Sequence, residues 1–148
     1  MAKWLDRSDF RVYTHSMTIC YSTMLRQATR KVSSVYDEAL ASLGINIAQY
    51  SLLRAIERLQ PVSITELGRD AGLDRSTIGR NVRVLERAGL VDMTRGADDH
   101  REAAASLSDQ GAHVLGEARP LWANCQQEIE SRLGPIKLTA LQEILRSF

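Results

Sequence analysis

The sequence is poor in cysteine, proline and phenylalanine, with two, three and two of them in 148 residues. Cys20 and Cys125 are too few for a disulfide framework. With three isolated histidines they make no zinc-ligand cluster. No apolar run approaches the roughly 18 residues that span a bilayer, and Met1 to Asp6 lack the apolar core of a secretion signal. These absences predict a soluble, cytoplasmic protein with no membrane partner. A Ser-His-Asp spacing, a phosphate-cradling glycine loop and a dinucleotide glycine pattern are missing as well. No enzyme activity, bound metal or cofactor is expected. Charge of one sign is also scarce. The net charge is +1, so a polyanionic partner must be held by local charge rather than by the field of the whole molecule.

Local charge is present between Leu73 and Gly89. Ile78, Val82 and Leu85 follow an i, i+4, i+7 spacing that puts them on one narrow helix face. Ser76, Arg80, Arg83 and Arg87 repeat the spacing on the opposite face. Four arginines against one glutamate make residues 75–87 cationic. Asp74 is a good N-cap, and Gly89 occupies the place of a left-handed C-cap residue. An arginine face alone is more often solvated charge than a binding surface. The flanking residues shift that balance. Ser63-Ile64-Thr65-Glu66 is a capping box, with Val62 and Leu67 spaced as its hydrophobic staple. It opens a short helix over 63–71 that ends at Gly72. A short helix, a tight turn and a cationic helix form a helix-turn-helix pattern. Leu90 to Arg95 then reads as a strand, Gly96 to Arg101 as a polar loop, and Ala103 to Leu107 as a returning strand. Together these predict a β-wing behind a helix that lies on nucleic acid.

The remaining chain is helical in pattern. Ser8 to Leu43 has no proline or glycine. Leu25, Ala28, Val32, Val35, Ala39 and Leu43 recur on one stripe, widened by Tyr36 and Leu40. At 1.5 Å per residue such a helix reaches about 50 Å, longer than one small domain needs. Gly44 ends it. Asn46 with Gln49 makes a second capping box, opening a helix through Gln60 with Tyr50, Leu53, Ile56 and Leu59 inward, stopped by Pro61. Ser108 caps a long helix to about Leu133, which Pro120 should kink or divide. Gly134-Pro135 breaks the chain, and Leu138, Leu141, Ile144, Leu145 and Phe148 form an apolar terminal helix. The expected class is mainly α with a small β-wing. Residues 1–45 and 108–148 are expected as dimerisation helices around a DNA-binding lobe at 46–107, all in one domain of 148 residues. Long apolar helices at both ends predict a symmetric homodimer.

Leu73 to Leu90, Asp99-His100-Arg101 and Leu107-Ser108-Asp109-Gln110-Gly111 together resemble the MarR family of winged helix-turn-helix transcriptional repressors. Gly44 to Gln49 is similar to that family's approach to its second helix. The resemblance spans nearly the whole chain. It implies a homodimer on double-stranded DNA, released by a small molecule, often an aromatic acid, held between the dimerisation helices and the reading lobe. A two-fold dimer would put two cationic helices into major grooves about 34 Å apart, on a pseudo-palindromic operator. Arg75, Ser76 and Thr77 would enter the groove first, Arg75 or Arg80 on guanine and Arg83 on phosphate. Ser63 at the start of the preceding helix joins the expected DNA contacts. Gly79 would let the helix approach closely. In the wing, Arg101 matches the family arginine that enters the minor groove, Asp99 would hold it, and Arg95 would meet backbone. Ala103-Ala104-Ala105 departs from the family's β-branched returning strand and predicts a weak wing.

The implied effector pocket draws on His15, Arg26, Tyr50, Arg54 and Trp122, each of which also reads as surface charge or plain core. An alternative is thiol sensing. The hydroperoxide-sensing branch of the family carries a reactive cysteine that, counted back from Gln49, falls at Ser22. Cys20 lies two residues away, about 200° round the helix, and reads better as a small buried hydrophobe, as Cys125 does. A winged helix that binds only protein is a further alternative. It would not need Arg75, Arg80, Arg83 and Arg101 together.

Overall fold

The computed structural model describes residues 20–94 and 103–148. The chain divides into two compact units, Met1–Lys31 and Val32–Phe148. The first is described from Cys20 onward. It contributes the start of helix α1 (Tyr21–Leu40), where Tyr21, Met24 and Leu25 are exposed.

In the second unit, α1 buries Tyr36 and Leu40 and ends in a 3-10 turn, Ala41–Leu43. Gly44 closes that turn with φ +70°, a conformation that costs a residue without Cβ nothing. Helix α2 (Ile47–Leu59) starts at the expected capping box. Asn46 accepts from Gln49 N at 2.9 Å, and the Gln49 side chain accepts from Asn46 N at 2.9 Å. Tyr50, Leu53 and Ile56 point inward as the spacing predicts. Helix α3 (Ile64–Ala71) and helix α4 (Arg75–Arg87) follow. The hairpin β2 (Val91–Thr94) and β3 (Ala104–Leu107) comes next, then helix α5 (Asp109–Arg146). One hydrophobic cluster joins these elements, with Leu40, Leu53, Ile56, Leu67, Leu85 and Leu115 wholly buried. Burial of each such side chain stabilises the fold by about 1.5–3 kcal/mol.

The structure departs from the sequence reading in the sheet and in α5. A short strand β1 (Val62–Ser63) precedes α3, and the antiparallel sheet runs β1-β3-β2. Periodicity cannot reveal a two-residue strand, because it needs more residues than that to register. The alanine-rich return is consequently the middle strand. Ala105 pairs with Val62 on one side and Met93 on the other, and it is fully buried. A small residue suits a strand pressed between two neighbours and the core. Pro120, finally, does not divide α5. The backbone stays helical there, and the division falls at Gly134 (φ 72°, ψ 168°), just before Pro135. Proline disfavours a helical residue before it, and glycine alone takes that positive φ without strain. At Pro120 the missing donor leaves only the carbonyl of Gly116, at an exposed position where water can replace the lost bond. Beyond the break, Ile136, Leu141, Ile144, Leu145 and Phe148 are exposed apolar side chains.

Candidate nucleic-acid interface

The turn between α3 and α4 is set by backbone contacts. At the start of α3 the Ser63 hydroxyl accepts from Glu66 N at 3.2 Å and donates to Glu66 Oε2 at 2.9 Å. The Ser63 N–H, donating to Glu66 Oε2 at 3.1 Å, and then its hydroxyl hold the Glu66 carboxyl below its usual range. These bonds also commit Ser63 to the cap, with a carboxylate beside it. Gly72 ends α3 at φ +64°, and Leu73 N donates to Gly68 O at 2.9 Å. A Cβ on Gly68 would stand 2.9 Å from Leu73 O, so only glycine lets the turn close against α3.

Asp74 then caps α4 as expected. Its Oδ1 accepts from Thr77 N at 2.9 Å and from the Ser76 hydroxyl at 2.5 Å, while Oδ2 accepts from the Thr77 hydroxyl at 2.6 Å. The Ser76 and Thr77 bonds hold this carboxyl far below the usual carboxylate range. Its contribution to the helix is therefore present at neutral pH and lost only in strong acid.

Helix α4 keeps its two faces apart. Ile78, Val82 and Leu85 are buried, and Ser76, Arg80, Arg83 and Arg87 are exposed. Among the described residues no acidic side chain pairs with Arg80, Arg83 or Arg87. Arg80 Nη2 instead leans back to Thr77 Oγ1 at 3.5 Å, and Arg75 is exposed in the first turn. Gly79 corrects a further expectation. A Cβ there would face Ile64 of α3 at an ordinary 3.8 Å, so Gly79 lies at a helix-helix contact that alanine would also fit. Arg95, Asp99 and Arg101 lie outside the described residues, and so does His15.

A cleft of about 740 Å3 opens beside this helix, bounded by α2, the α3–α4 turn, α4 and Trp122 of α5. Three of the expected effector residues meet at it. The rings of Tyr50 and Trp122 stack at 5.9 Å, and the Arg54 guanidinium lies 5.1 Å from the Trp122 centroid and 5.9 Å from that of Tyr50. Burial raises the Tyr50 hydroxyl against the smaller opposing effect of Arg54. Arg26 belongs to the first unit. Two ion pairs at the cleft were not foreseen. Arg58 Nη2 grips both Asp70 oxygens at 2.7 and 2.9 Å, joining α2 to α3, and Arg119 grips Glu57 at 2.6 Å, joining α5 to α2. Partners this far apart in sequence leave no periodic signal.

Comparison with known proteins gives a family likeness. The MarR family model matches residues 43–102, a stretch that includes α2, α3, α4 and β2. The organic hydroperoxide resistance transcriptional regulator of Bacillus subtilis is 26% identical over 100 residues, 68% of this chain and 67% of that one. The crystal structure of the M. tuberculosis transcriptional regulator MosR in complex with DNA superposes with a TM-score of 0.71. It is 27% identical and covers 87% of this chain and 97% of that one. A mutant of E. coli MarR complexed with operator DNA shares the fold at a TM-score of 0.73 and 22% identity, over 85% and 91% of the two chains. The chain resembles the MarR family, through residues 43–102 and through its likeness to these regulators. It has the winged-helix fold of these proteins, and the curated relatives it matches are transcriptional regulators.

Two cysteines remain to be placed. Cys125 is buried, with its thiol against Val35 O at 3.7 Å, and desolvation pushes it up. Cys20 is exposed, which corrects its reading as a buried hydrophobe. Hydrogen bonds from Thr23 at the first described turn of α1 lower its pKa.

Proposed function

We propose that the protein acts as a homodimeric repressor on a pseudo-palindromic operator and leaves it when a small aromatic acid binds. The observation that carries the DNA half is helix α4. One face is buried to the last methyl, and the other offers Arg80, Arg83 and Arg87 with no acidic partner among the described residues. Uncompensated guanidinium groups in a row suit phosphate and guanine, where a planar fork makes two bonds at once. The exposed apolar side chains from Ile136 to Phe148 support a second copy as the cover for that end of α5. Arg101, Asp99 and Arg95 are assigned to the minor groove and its backbone, and Arg75 or Arg80 to guanine.

A salt titration on full and half operators tests this reading. Log K against log salt should fall with a slope of about −0.9 per phosphate contacted. The slope on the full operator should be about twice that on a half-site. A flat slope, or equal slopes on both DNAs, would remove the dimeric electrostatic account.

The effector half rests on the cleft. Its volume is in the range of small-molecule sites, and the Tyr50–Trp122 stack with Arg54 offers a ring platform beside a cation. A second reading is favoured by Cys20, an exposed thiol with a lowered pKa in a chain similar to a hydroperoxide resistance regulator. Under the aromatic-acid reading, organic peroxide releases wild type and Cys20→Ser from the operator alike, or releases neither. Release that disappears in Cys20→Ser would move control to the thiol.

A further inference from the structure

We propose that Asp74 sets base preference by fixing the Ser76 and Thr77 hydroxyls as hydrogen-bond acceptors toward the DNA. The inference rests on the major-groove reading of α4 given above. A hydroxyl has one proton and two lone pairs, so what it can recognise depends on where the proton goes. A carboxylate only accepts. The Ser76 Oγ contact with Asp74 Oδ1 at 2.5 Å and the Thr77 Oγ1 contact with Oδ2 at 2.6 Å therefore each take the hydroxyl proton. The Asp74 carboxyl stays ionised at any pH where DNA is bound, because those same bonds depress its pKa. Thr77 shows its accepting side already, with the Arg80 guanidinium approaching Oγ1 at 3.5 Å from the reading face.

The first turn of the reading helix thus presents two oxygens that accept and cannot donate. In the major groove the donors are the amino groups of cytosine N4 and adenine N6, whereas guanine O6 and N7 and thymine O4 accept. The positions facing Ser76 and Thr77 should select cytosine or adenine and reject guanine or thymine on the contacted strand. The neighbouring arginines, which only donate, select the reverse. Asp74 touches no base in this scheme. It is a positioning residue, and the helix cap is the device that polarises the hydroxyls.

The geometry gives an asymmetric test. In Asp74→Asn the amide oxygen must take the Oδ1 place, because Thr77 N donates there and Ser76 donates to the same atom. The NH2 then occupies the Oδ2 place and donates to Thr77 Oγ1. The Thr77 proton turns outward, while Ser76 stays as it was. Selection from a randomised operator library, with full-length wild type and Asp74→Asn, reads the result. Thr77→Val and Ser76→Ala locate the position each hydroxyl governs. The expected result is a shift at the Thr77 position from adenine or cytosine toward guanine or thymine, on the order of tenfold in relative enrichment. The Ser76 position and the salt slope should not move. Uniform loss of affinity with unchanged preference would make Asp74 a structural cap only and overturn the proposal, as would a wild-type preference for guanine or thymine at both positions. A second arm alters only the DNA. Where adenine is selected, purine lacking the amino group should weaken wild-type binding by about tenfold, and no effect would overturn the proposal even if Asp74→Asn does not fold. A wild type that selects no sequence at all would instead sink the major-groove reading itself.

Discussion

Gly111→Ala should destabilise the protein by about 3–5 kcal/mol, among the largest effects a single methyl can have. Gly111 is in the first turn of α5, and a Cβ there would stand 1.9 Å from Leu90 O and 2.9 Å from Leu90 C. Those atoms are main chain and cannot swing aside. Leu90 is pinned from both directions, with its N–H on Leu85 O at 2.9 Å and its carbonyl accepting from Ser108 N at 3.2 Å. The Ser108 hydroxyl holds Gly89 O at 2.6 Å as well. The helix start therefore rides directly on the chain that leaves the reading helix and enters β2. Relief would require α5 or β2 to back away, opening the core around Leu85 and Leu115. Gly116→Ala in the same helix is the control. Nothing lies within 4 Å of its added methyl, so it should stabilise by about 0.5–1 kcal/mol. Urea unfolding of both variants decides the matter. A Gly111→Ala midpoint equal to wild type would mean that this packing is not as drawn.

Arg80→Ala should cost about 1–3 kcal/mol of operator binding and relax preference at one base pair in each half-site. Its guanidinium projects from the exposed face of α4, opposite the buried stripe of Ile78, Val82 and Leu85, so fold and dimer should persist. Arg101→Ala should behave differently. On the proposed minor-groove role it would remove a contact that reads groove width and negative potential, so all operators should weaken alike, most of all those with flanking A·T tracts. Binding measured over single-base operator variants separates the two. If Arg80→Ala lowers affinity uniformly and Arg101→Ala changes base preference, the groove assignments are reversed. If neither matters, α4 is not the reader.

Much of this was legible from residue order, because caps and glycines act locally. Asn46, Ser63, Asp74 and Ser108 each start a helix where their side-chain oxygen predicts, and Gly44, Gly72 and Gly89 each end one at positive φ. The buried stripe of α4 follows from its 3.6-residue period. What periodicity misses is pairing at a distance. Strand β1 exists because Val62 and Ser63 meet Ala105 and Ala104, some forty residues on. That same pairing makes the alanine run the central strand. Gly79 and Gly111 show the limit for single residues. Gly79 reads from sequence as a glycine with a steric purpose, yet of the two only Gly111 meets a distant backbone that forbids a side chain. At the site, the arginines could be seen from spacing alone. The hold of Asp74 on two neighbouring hydroxyls needed the atoms in place, because an N-cap requires only one of its bonds.

Ser63 belongs to two elements at once. It pairs with Ala104 of the central strand, and its hydroxyl caps α3. The sheet that carries the wing and the helix that supports the reader therefore share a residue, with no linker between them. Two tools joined this way do not search for their targets separately. Once one groove is engaged, the other contact is already at a high effective concentration, since no flexible tether dilutes it. The converse follows for release. A small tilt of α3 would carry the sheet with it, so both grips would loosen in one motion rather than peel away in turn.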